Sequence, residues 1–346
     1  MISTAQKRNT IRVLLSVAAP DGTTRFVDQV TRFAPRDIDF CFFSWRKAIA
    51  GRWDAFHVHW PEFLLRGRSA PIAAVRTFLF LLFLVRLSIT RGKVVRTLHN
   101  LEPHSPGGRL ETALLAALER RTTLFVTLTG VTPVPRNAPS MLIPHGHYRD
   151  VLPLEHRRPV QPGRLLSFGR IEPYKNIERL VEVFRGLDDP DLTLGVVGKA
   201  PQELAERIAA AAALDPRVTT RFGFVPDEEM VAEMTAAQLV VLPYTEMHNS
   251  GILLVALSLG RPVLVPRTPA NVLLAQEVGQ EWVRMFDGEI GQDDLRAAAR
   301  ATADLPASGP ALAGREWSAV GASYARAYHL ALDAPVARAR RPGETS

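Results

Sequence analysis

The sequence predicts an α/β protein made of two doubly wound domains, each with a parallel sheet covered by helices on both faces. Short apolar runs of the strand type alternate with helix-like segments along the whole chain. A chain of 346 residues is long enough to form two domains that each bury a core. A segment rich in proline and arginine, residues 152–163, interrupts the alternation near the middle of the chain and is typical of an interdomain linker.

The first domain is expected over residues 1–151. Six apolar runs bounded by polar or turn residues predict its strands. They lie at Ile11–Val17, Ile38–Phe43, Ala55–His59, Val94–His99, Leu124–Val126 and Ser140–Ile143. Helical patterns fill much of the space between them, notably over residues 70–90 and 108–120.

The longest apolar run of the chain, residues 77–85, lies inside the first of these helices and is bracketed by Arg76 and Arg86. The helix reaches the length of about 20 residues that a membrane span needs only if both arginines are included. Two interpretations remain. We favour a helix buried in the protein; the alternative is a helix that dips into one face of a bilayer while its arginines extend to the headgroups.

The second domain is expected over residues 164–315. Its first strand precedes a helix over residues 176–187, and a second strand, 192–197, ends at Gly198. A helix over residues 201–213 and a strand beginning at Val218 follow. The last residues, 334–346, are rich in arginine, proline and glycine, so we expect a disordered tail.

Composition bears on location and on partners. The single cysteine, Cys41, cannot form an internal disulfide, and the first residues lack the apolar core of a signal peptide, so we expect a cytoplasmic protein. Residues 1–160 carry 23 Lys and Arg against 11 Asp and Glu, which favours contact with an anionic membrane surface or a phosphorylated acceptor. A solvated basic surface is the alternative. No nucleic-acid-binding motif is present, so we expect no nucleic-acid partner.

Two segments of the second half suggest a site for a phosphorylated ligand. Residues 165–176 form an apolar strand that ends in a glycine and is followed by two cations, Arg170 and Lys175. This places both cations near the carboxyl edge of a sheet, where α/β folds bind ligands. Residues 240–263 form a buried strand, a polar loop and an apolar helix, and the amides at the amino end of such a helix attract phosphate.

These two segments, in this order and roughly 75 residues apart, resemble the donor half of GT-B glycosyltransferases of family 4, also called group 1. The resemblance is strong over residues 164–265. It implies a GT-B fold, in which two Rossmann-like domains face a central cleft, and a helix over residues 316–333 that crosses back to the first domain. It also implies that Arg170 and Lys175 clamp the diphosphate of a nucleotide-sugar donor.

The second segment departs from the family pattern at two positions. The family has two glutamates eight positions apart in this region, and the aligned positions here are Met247 and Val255. Glu246, one residue away, is expected to replace the first glutamate in contacting the sugar or the nucleotide. The remaining donor-binding residues are expected to supply loop amides and a hydroxyl, and they are Asn249, Ser250 and Gly251.

The first half resembles the family more weakly, through short segments at its strand ends. Residues 56–62 and 97–104 resemble two strand ends that face the cleft, and residues 143–148 resemble a Pro-Asn-Gly turn with His145 in place of asparagine. The turn after the first strand, with Gly22 and Thr23, resembles the glycine-rich first loop. The acceptor side is expected to contain His59, Glu62, His99, Asn100, His145, Gly22 and Thr23.

Transfer to a hydroxyl requires a base if the anomeric configuration inverts, and the candidates are Glu62, His59 and His99. In a retaining reaction of the family type the donor phosphate would take the proton, and the histidines would orient the acceptor. Alternation along the strand sends His57 and His59 to the same side of the sheet. Each histidine has a purely structural alternative, a hydrogen-bonded residue at a strand end.

Other chemistries are disfavoured by the sequence. It contains no G-x-G-x-x-G fingerprint, no P-loop and no serine nucleophile elbow. The histidine spacings match no structural zinc template, so we expect no metal and no cofactor. The predicted function is transfer of a sugar from a nucleotide-diphosphate sugar to a hydroxyl acceptor, a lipid-linked or polysaccharide intermediate, at the cytoplasmic side or on the inner face of a membrane. The alternatives are a nucleotide-sugar 2-epimerase and a catalytically degenerate binding or scaffold subunit.

Overall fold

The structure is a computed structural model that describes residues 10–20, 25–99, 107–135, 138–305 and 308–334. It divides the chain into two compact units. The first takes in the described residues of Met1–His145 and Trp317–Ser346, and the second is Gly146–Glu316. Each unit has one six-stranded sheet in which all neighbouring strands are parallel. The predicted α/β class with two parallel sheets is therefore confirmed.

The first unit contains the six predicted strands, with ends that differ from the prediction by one or two residues. They are β1 (Ile11–Leu15), β2 (Ile38–Cys41), β3 (Ala55–Val58), β4 (Lys93–Leu98), β5 (Leu124–Thr127) and β6 (Ser140–Leu142). Four helices connect them, namely α1 (Arg25–Arg32), α2 (Trp45–Ala50), α3 (Ala70–Thr90) and α4 (Arg109–Arg121). The strand order is β2-β1-β3-β4-β5-β6, so the chain reverses its winding direction between β1 and β3.

The second unit is also a six-stranded parallel sheet with helices, but its strands follow a different order. Its strands are β7 (Arg164–Phe168), β8 (Thr193–Gly198), β9 (Val218–Phe222), β10 (Leu239–Val241), β11 (Val263–Pro266) and β12 (Val283–Phe286). Its helices are α5 (Ile177–Arg185), α6 (Gln202–Ala212), α7 (Asp227–Ala236), α8 (Gly251–Ser258), α9 (Pro269–Val278) and α10 (Gln292–Ala301). The strand order is β12-β11-β10-β7-β8-β9, which puts the reversal between β7 and β10. Ligands of open α/β sheets bind at the carboxyl ends of the strands beside such a reversal.

The last described helix, α11 (Trp317–Asp333), belongs to the first unit. It packs against α1 and against β3, β4 and β5. Three of its aromatic side chains are almost completely buried there, namely Trp317, Tyr324 and Tyr328. The chain therefore leaves the first unit at residue 145 and returns to it at residue 317.

Residues 146–163, which include the expected linker, form part of the second unit. The amide of Tyr148 donates to Ser258 Oγ at 2.8 Å, and the amide of Arg158 donates to Thr235 Oγ1 at 2.8 Å. The amide of Gln161 donates to the carbonyl of Ala236 at 2.9 Å. The prolines and arginines of this segment predict that it has no regular secondary structure. The three amides named above nevertheless donate hydrogen bonds to the second unit, and these bonds hold the segment in place.

Helix α3 is not the buried helix that we favour from the sequence. One side packs into the core of the first unit through Phe80, Phe83, Leu84 and Leu87. The opposite side leaves large apolar side chains exposed, among them Phe78 and Ile89. By length and composition α3 could cross a membrane, and only 22% of its most apolar 18-residue window is buried. Because this helix is apolar on all sides, its sequence pattern could not reveal which side faces the core.

Candidate functional site

The carboxyl edge of the second sheet brings backbone segments unusually close together beside β7. Gly169 follows β7 with φ +116°, and Gly198 ends β8 with φ +149°. A Cβ atom on Gly198 would lie 1.9 Å from the carbonyl oxygen of Gly169, and the amide of Gly169 donates to the carbonyl of Val197 at 3.0 Å. Only glycine fits Gly198, both by conformation and by space. The chain leaving β7 is thereby fixed just before its two cations.

Arg170 precedes the short 3₁₀ turn Pro173–Lys175, and Lys175 is the last residue of that turn. The side chain of Arg170 is 78% exposed, and its Nε donates to Glu172 Oε1 at 2.5 Å. Such an exposed ion pair contributes little to stability. Arg170 can therefore leave Glu172 and bind an anionic ligand with little loss of folding stability.

Lys175 lies in a different environment from Arg170. Its ammonium is 5.0 Å from the ring centre of Tyr244 and 6.0 Å from that of Tyr174. Burial lowers the pKa of Lys175 to about 8, although Glu172 opposes this shift. A half-buried ammonium near two aromatic faces is poorly hydrated, which strengthens its attraction for a diphosphate.

The loop after β10 is bound to this 3₁₀ turn. Thr245 donates two hydrogen bonds to the carbonyl of Tyr174, one from its amide at 2.9 Å and one from Oγ1 at 3.1 Å. Further along, Ser250 caps α8, because its Oγ accepts a hydrogen bond from the amide of Leu253 at 3.4 Å. Gly251 is the first residue of α8, and Asn249 is half-buried beside the cap. The cations and the amino end of α8 thus belong to one connected edge.

The two positions that depart from the family pattern are both buried. Met247 and Val255 lie in the interior of the second unit, and Met247 Sδ is 3.5 Å from the side-chain amide of Asn271. That amide also donates to the carbonyl of Pro266 at 2.8 Å. Glu246 is exposed on the loop. A carboxylate is therefore available next to the family position but not at it, since position 247 faces the interior.

The first unit collects histidines at the carboxyl edge of its sheet. The rings of His57 and His59 lie on the same side of the sheet with centres 4.2 Å apart, as strand alternation predicts. His59 Nδ1 is 2.9 Å from His99 Nε2, although 40 residues separate them. The amide of His59 donates to Ser16 Oγ at 3.0 Å, which fixes this strand end against the end of β1.

His57 has a structural role. Its Nδ1 is 2.8 Å from the hydroxyl of Tyr328 and its Nε2 is 2.8 Å from Thr97 Oγ1. Thr97 Oγ1 lies 3.1 Å from the hydroxyl of Tyr324. Both ring nitrogens of His57 are thus occupied by hydroxyl groups in the core, and burial holds its pKa well below the usual range.

The pair His59 and His99 is neutral near pH 7. Burial lowers the pKa of His59 to about 3. Burial, together with the proximity of His59 and His145, also holds the pKa of His99 well below its ordinary value. Within the described residues, His59 Nε2 is buried and has no hydrogen-bond partner. A proton on His59 Nδ1, donated to His99 Nε2, is the assignment that leaves no N–H of His59 unpaired.

Aromatic side chains enclose this histidine pair. Trp60 stacks on His99 with ring centres 4.2 Å apart and planes 19° apart. Phe26 lies 5.1 Å from His99 and 4.8 Å from His145. His145 also contacts Trp317, with ring centres 5.6 Å apart. A half-buried tryptophan beside polar rings is a surface on which a sugar ring can stack.

Glu62 lies in a separate element from the histidines. It lies in the 3₁₀ turn Pro61–Leu64 and is buried. Its carboxylate makes no hydrogen bond to any part of the chain that the structure describes, but its charge acts on Arg96, whose pKa burial lowers and Glu119 and Glu62 raise. Three predicted acceptor residues, Gly22, Thr23 and Asn100, lie outside the described residues.

Several residues next to these sites were not predicted from the sequence. Lys199 follows Gly198 at the end of β8, as Arg170 follows Gly169 at the end of β7, and that repeated Gly-cation pattern could have identified it. Trp60 and Tyr244 lie two and three residues after the ends of β3 and β10, where an aromatic residue does not by itself indicate a site. In the described part of the chain, no three His, Cys, Asp or Glu residues are grouped so that they could hold a metal ion.

Comparison with known proteins adds to this geometry. Residues 162–301 match the family described as Glycosyl transferases group 1. Two curated relatives from Xanthomonas campestris pv. campestris, each a GDP-mannose:glycolipid 4-beta-D-mannosyltransferase, are 39% identical over 331 residues, which is 93% of this chain and 93% of theirs.

Solved structures share the fold at low sequence identity. They include Alr3699/HepE of Anabaena in complex with UDP, with a TM-score of 0.58 and 14% identity over 92% of this chain and 95% of that one. The lipopolysaccharide outer core galactosyltransferase WaaB has a TM-score of 0.61 and 10% identity over 92% of this chain and 99% of that one. These similarities confirm the predicted GT-B architecture.

Proposed function

The chain belongs to the group 1 glycosyltransferases and transfers a sugar from a nucleotide sugar, and on this basis we propose that it moves mannose from GDP-mannose to a hydroxyl of a glycolipid. The donor and the acceptor are those of the curated relatives, to which 93% of the chain aligns at 39% identity. The alternatives of a 2-epimerase and of an inactive scaffold lose their support, because these relatives are transferases.

The observation that carries the proposal is the connected donor edge of the second unit. Two hydrogen bonds from Thr245 to the Tyr174 carbonyl join the segment with the cations to the loop that precedes α8. Arg170 and Lys175 would neutralise the diphosphate, and the amides at Ser250 and Gly251 would bind its oxygens. These groups stabilise the departing nucleoside diphosphate without a metal ion, because their charges and dipoles are already oriented.

The nucleotide and the sugar require further contacts. We propose that Glu246 accepts hydrogen bonds from hydroxyls of the donor, because it is the exposed carboxylate of this loop. Asn249 is half-buried between Glu246 and the cap of α8, and we assign it to the same ligand. The positions of the family glutamates, Met247 and Val255, are buried and take no part in this contact.

The acceptor half would act through the histidine pair. A β-mannoside formed from an α-linked sugar diphosphate requires inversion at the anomeric carbon, and inversion requires a base for the acceptor hydroxyl. We assign this role to His59 and His99, which are held neutral and are joined at 2.9 Å, so that a proton taken from the acceptor can be shared between two rings. Trp60 would stack on the acceptor sugar, and Glu62 remains the alternative base.

A glycolipid acceptor is held in a bilayer, so the enzyme has to work at a membrane surface. We propose a cytoplasmic protein bound peripherally to the inner face of the membrane. The excess of 23 Lys and Arg over 11 Asp and Glu in residues 1–160 supports attraction to anionic lipid, and a single cysteine suits a reducing compartment.

The test is a nucleotide and donor panel. A ligand that binds only the folded protein raises the melting temperature, so GDP and GDP-mannose should raise it while UDP and ADP at equal concentration should not. Radiolabelled mannose should then pass from GDP-mannose to a glycolipid extract and appear in the organic phase. A melting-temperature rise with UDP alone, or label that appears only as free mannose, would overturn the proposal.

A further inference from the structure

We propose that one face of α3, defined by Val75, Phe78, Leu82, Val85 and Ile89, is the surface by which the first unit inserts into an anionic bilayer. This inference rests on the proposed function in one respect, the choice of a lipid surface as the partner. It names the segment that makes contact and the depth of that contact.

The five residues form a continuous stripe. They are spaced three or four positions apart along the helix, so their side chains follow one line on its surface. Each of them is between 39% and 77% exposed. Phe63, Ile72 and Leu81 are also exposed large apolar side chains in this part of the chain. An apolar surface of this extent on a protein unit is typical of a partner site or a membrane contact.

The arginines next to the stripe do not interrupt it. Arg86 donates to the carbonyls of Ala48 and Gly51, each at 2.6 Å, and its guanidinium lies 4.4 Å from the ring centre of Trp53. Arg76 donates to the carbonyls of Phe63, at 3.2 Å, and of Arg66. Both side chains are therefore tied to the protein. They do not extend to the headgroups, as the membrane interpretation of the sequence supposes, and the stripe itself carries no charge.

Charge complementarity favours anionic lipid as the occupant. Residues 63–101 contain seven Lys and Arg and no Asp or Glu. Arg68 and Arg91, just beyond the two ends of α3, are exposed. An uncharged stripe with cations at its ends matches a bilayer, in which acyl chains lie beneath anionic headgroups.

A second copy of the chain fits this surface less well. The 3-4 spacing of the stripe is that of the a and d positions of a coiled coil, in which flanking e and g positions carry opposite charges that pair between helices. In α3 those flanking positions are Leu79, Leu81, Arg86 and Ser88. Arg86 is already bound to its own unit, so no complementary charges are available to select another helix.

The helix lies on the membrane and does not cross it. Its 21 residues give a length of about 31 Å, enough for a span, but its other side is packed against the core of the first unit. The exposed side chains would therefore reach only the boundary between headgroups and acyl chains, with the helix axis parallel to the membrane plane.

Vesicle sedimentation of the full chain tests the inference. Wild type should bind vesicles containing phosphatidylglycerol more tightly than vesicles of phosphatidylcholine alone, and salt should weaken the difference. The triple variant Phe78→Glu, Leu82→Glu, Val85→Glu should bind at least about tenfold more weakly. A matched control, Leu214→Glu with Val160→Glu, changes two exposed apolar residues of the second unit and should bind as wild type does.

Three outcomes would contradict the inference. Vesicle binding that is absent in wild type, or equal in the triple variant, would overturn it, as would a concentration-dependent dimer that the triple variant abolishes. The melting-temperature rise with GDP should be the same in all three proteins, because none of these residues lies at the donor edge. If mannose transfer is not found but stripe-dependent vesicle binding is, the proposed function fails and this inference stands.

Discussion

Thr245 donates its amide and its hydroxyl to one acceptor, the carbonyl of Tyr174, and so joins two segments that are about 70 residues apart in sequence. The carbonyl belongs to the middle residue of the 3₁₀ turn that ends at Lys175, while Thr245 lies in the loop that leads to α8. Each half of the donor edge therefore positions the other.

Arg170→Ala should remove transfer activity and leave the fold intact. The Arg170 side chain is 78% exposed and pairs with Glu172, so its loss should change the melting temperature by less than about 1 °C. Loss of one charge from the diphosphate clamp should lower kcat/KM by about 100-fold or more. Arg179→Ala removes another partly exposed ion-pairing arginine of this unit and is the control. Turnover like that of wild type in Arg170→Ala would contradict the assigned role.

Lys175 should make donor use pH-dependent. With its pKa at about 8, the ammonium loses its proton above pH 8, and kcat/KM for the donor should then fall up to about tenfold per pH unit. Lys175→Arg keeps its charge throughout, so its profile should stay flat up to pH 9.5 whatever its absolute rate. Initial rates between pH 6.5 and 9.5 measure both profiles. A break that persists in Lys175→Arg would assign the titration to another group.

The buried position Met247 and the exposed position Glu246 should respond oppositely to substitution. Met247→Glu would bury a carboxylate near the Asn271 amide, so we expect a loss of about 3 kcal/mol or more in stability and no gain in activity. Glu246→Gln should leave the melting temperature unchanged and raise the donor KM by about tenfold. Denaturant unfolding and donor kinetics check the two results. An active, stable Met247→Glu variant would show that position 247 can face the ligand.

The buried histidines should make the first unit sensitive to acid. Their folded-state pKa values are lowered, so below the ordinary value of 6.5 the unfolded chain binds more protons and stability falls as the pH falls. For His59 the loss extends from pH 6.5 to about 3, at about 1.4 kcal/mol per pH unit. His59→Gln should therefore lose less stability than wild type between pH 7.5 and pH 5. Urea unfolding at both pH values measures this, and equal losses would contradict it.

Catalysis should depend on the histidine pair more than on Glu62. Replacing the base should lower kcat by about 100-fold to 10,000-fold, so His59→Gln and His99→Gln should each show a loss of this size with little change in GDP binding. Glu62→Gln should affect kcat less, because the charge of Glu62 acts on Arg96, whereas His59 and His99 are joined to each other. The reverse ranking would make Glu62 the base.

The strands and the donor motifs could be predicted from the sequence because their signals are local. Each of the six segments predicted as strands in the first half is found as a strand, and the cations that follow β7 lie at the carboxyl edge of its sheet, as expected. The contact between His59 and His99 was harder to predict from the sequence. Both residues are predictable as strand-end residues, but their hydrogen bond depends on the pairing of β3 with β4, which brings positions 40 residues apart together.

Other features depend on tertiary packing that no local pattern records. His57 is fixed by the hydroxyl of Tyr328, 271 residues away on a helix that returns from the far end of the chain. Which side of α3 faces the core could not be predicted either, because both its buried and its exposed sides are apolar. For Met247 the sequence identified the position that aligns with the family glutamate. The burial of its side chain depends on the conformation of the folded loop and could not be predicted.

The contact between Gly198 and the Gly169 carbonyl limits how this enzyme could be redesigned. Any side chain at position 198 would collide with the backbone of the neighbouring strand end, so random mutagenesis there should yield misfolded protein and not altered selectivity. The loop that contains Glu246 and Asn249 has no such constraint on side-chain size at its exposed positions. A library that aims to change which sugar is accepted should therefore keep the strand ends invariant and vary this loop.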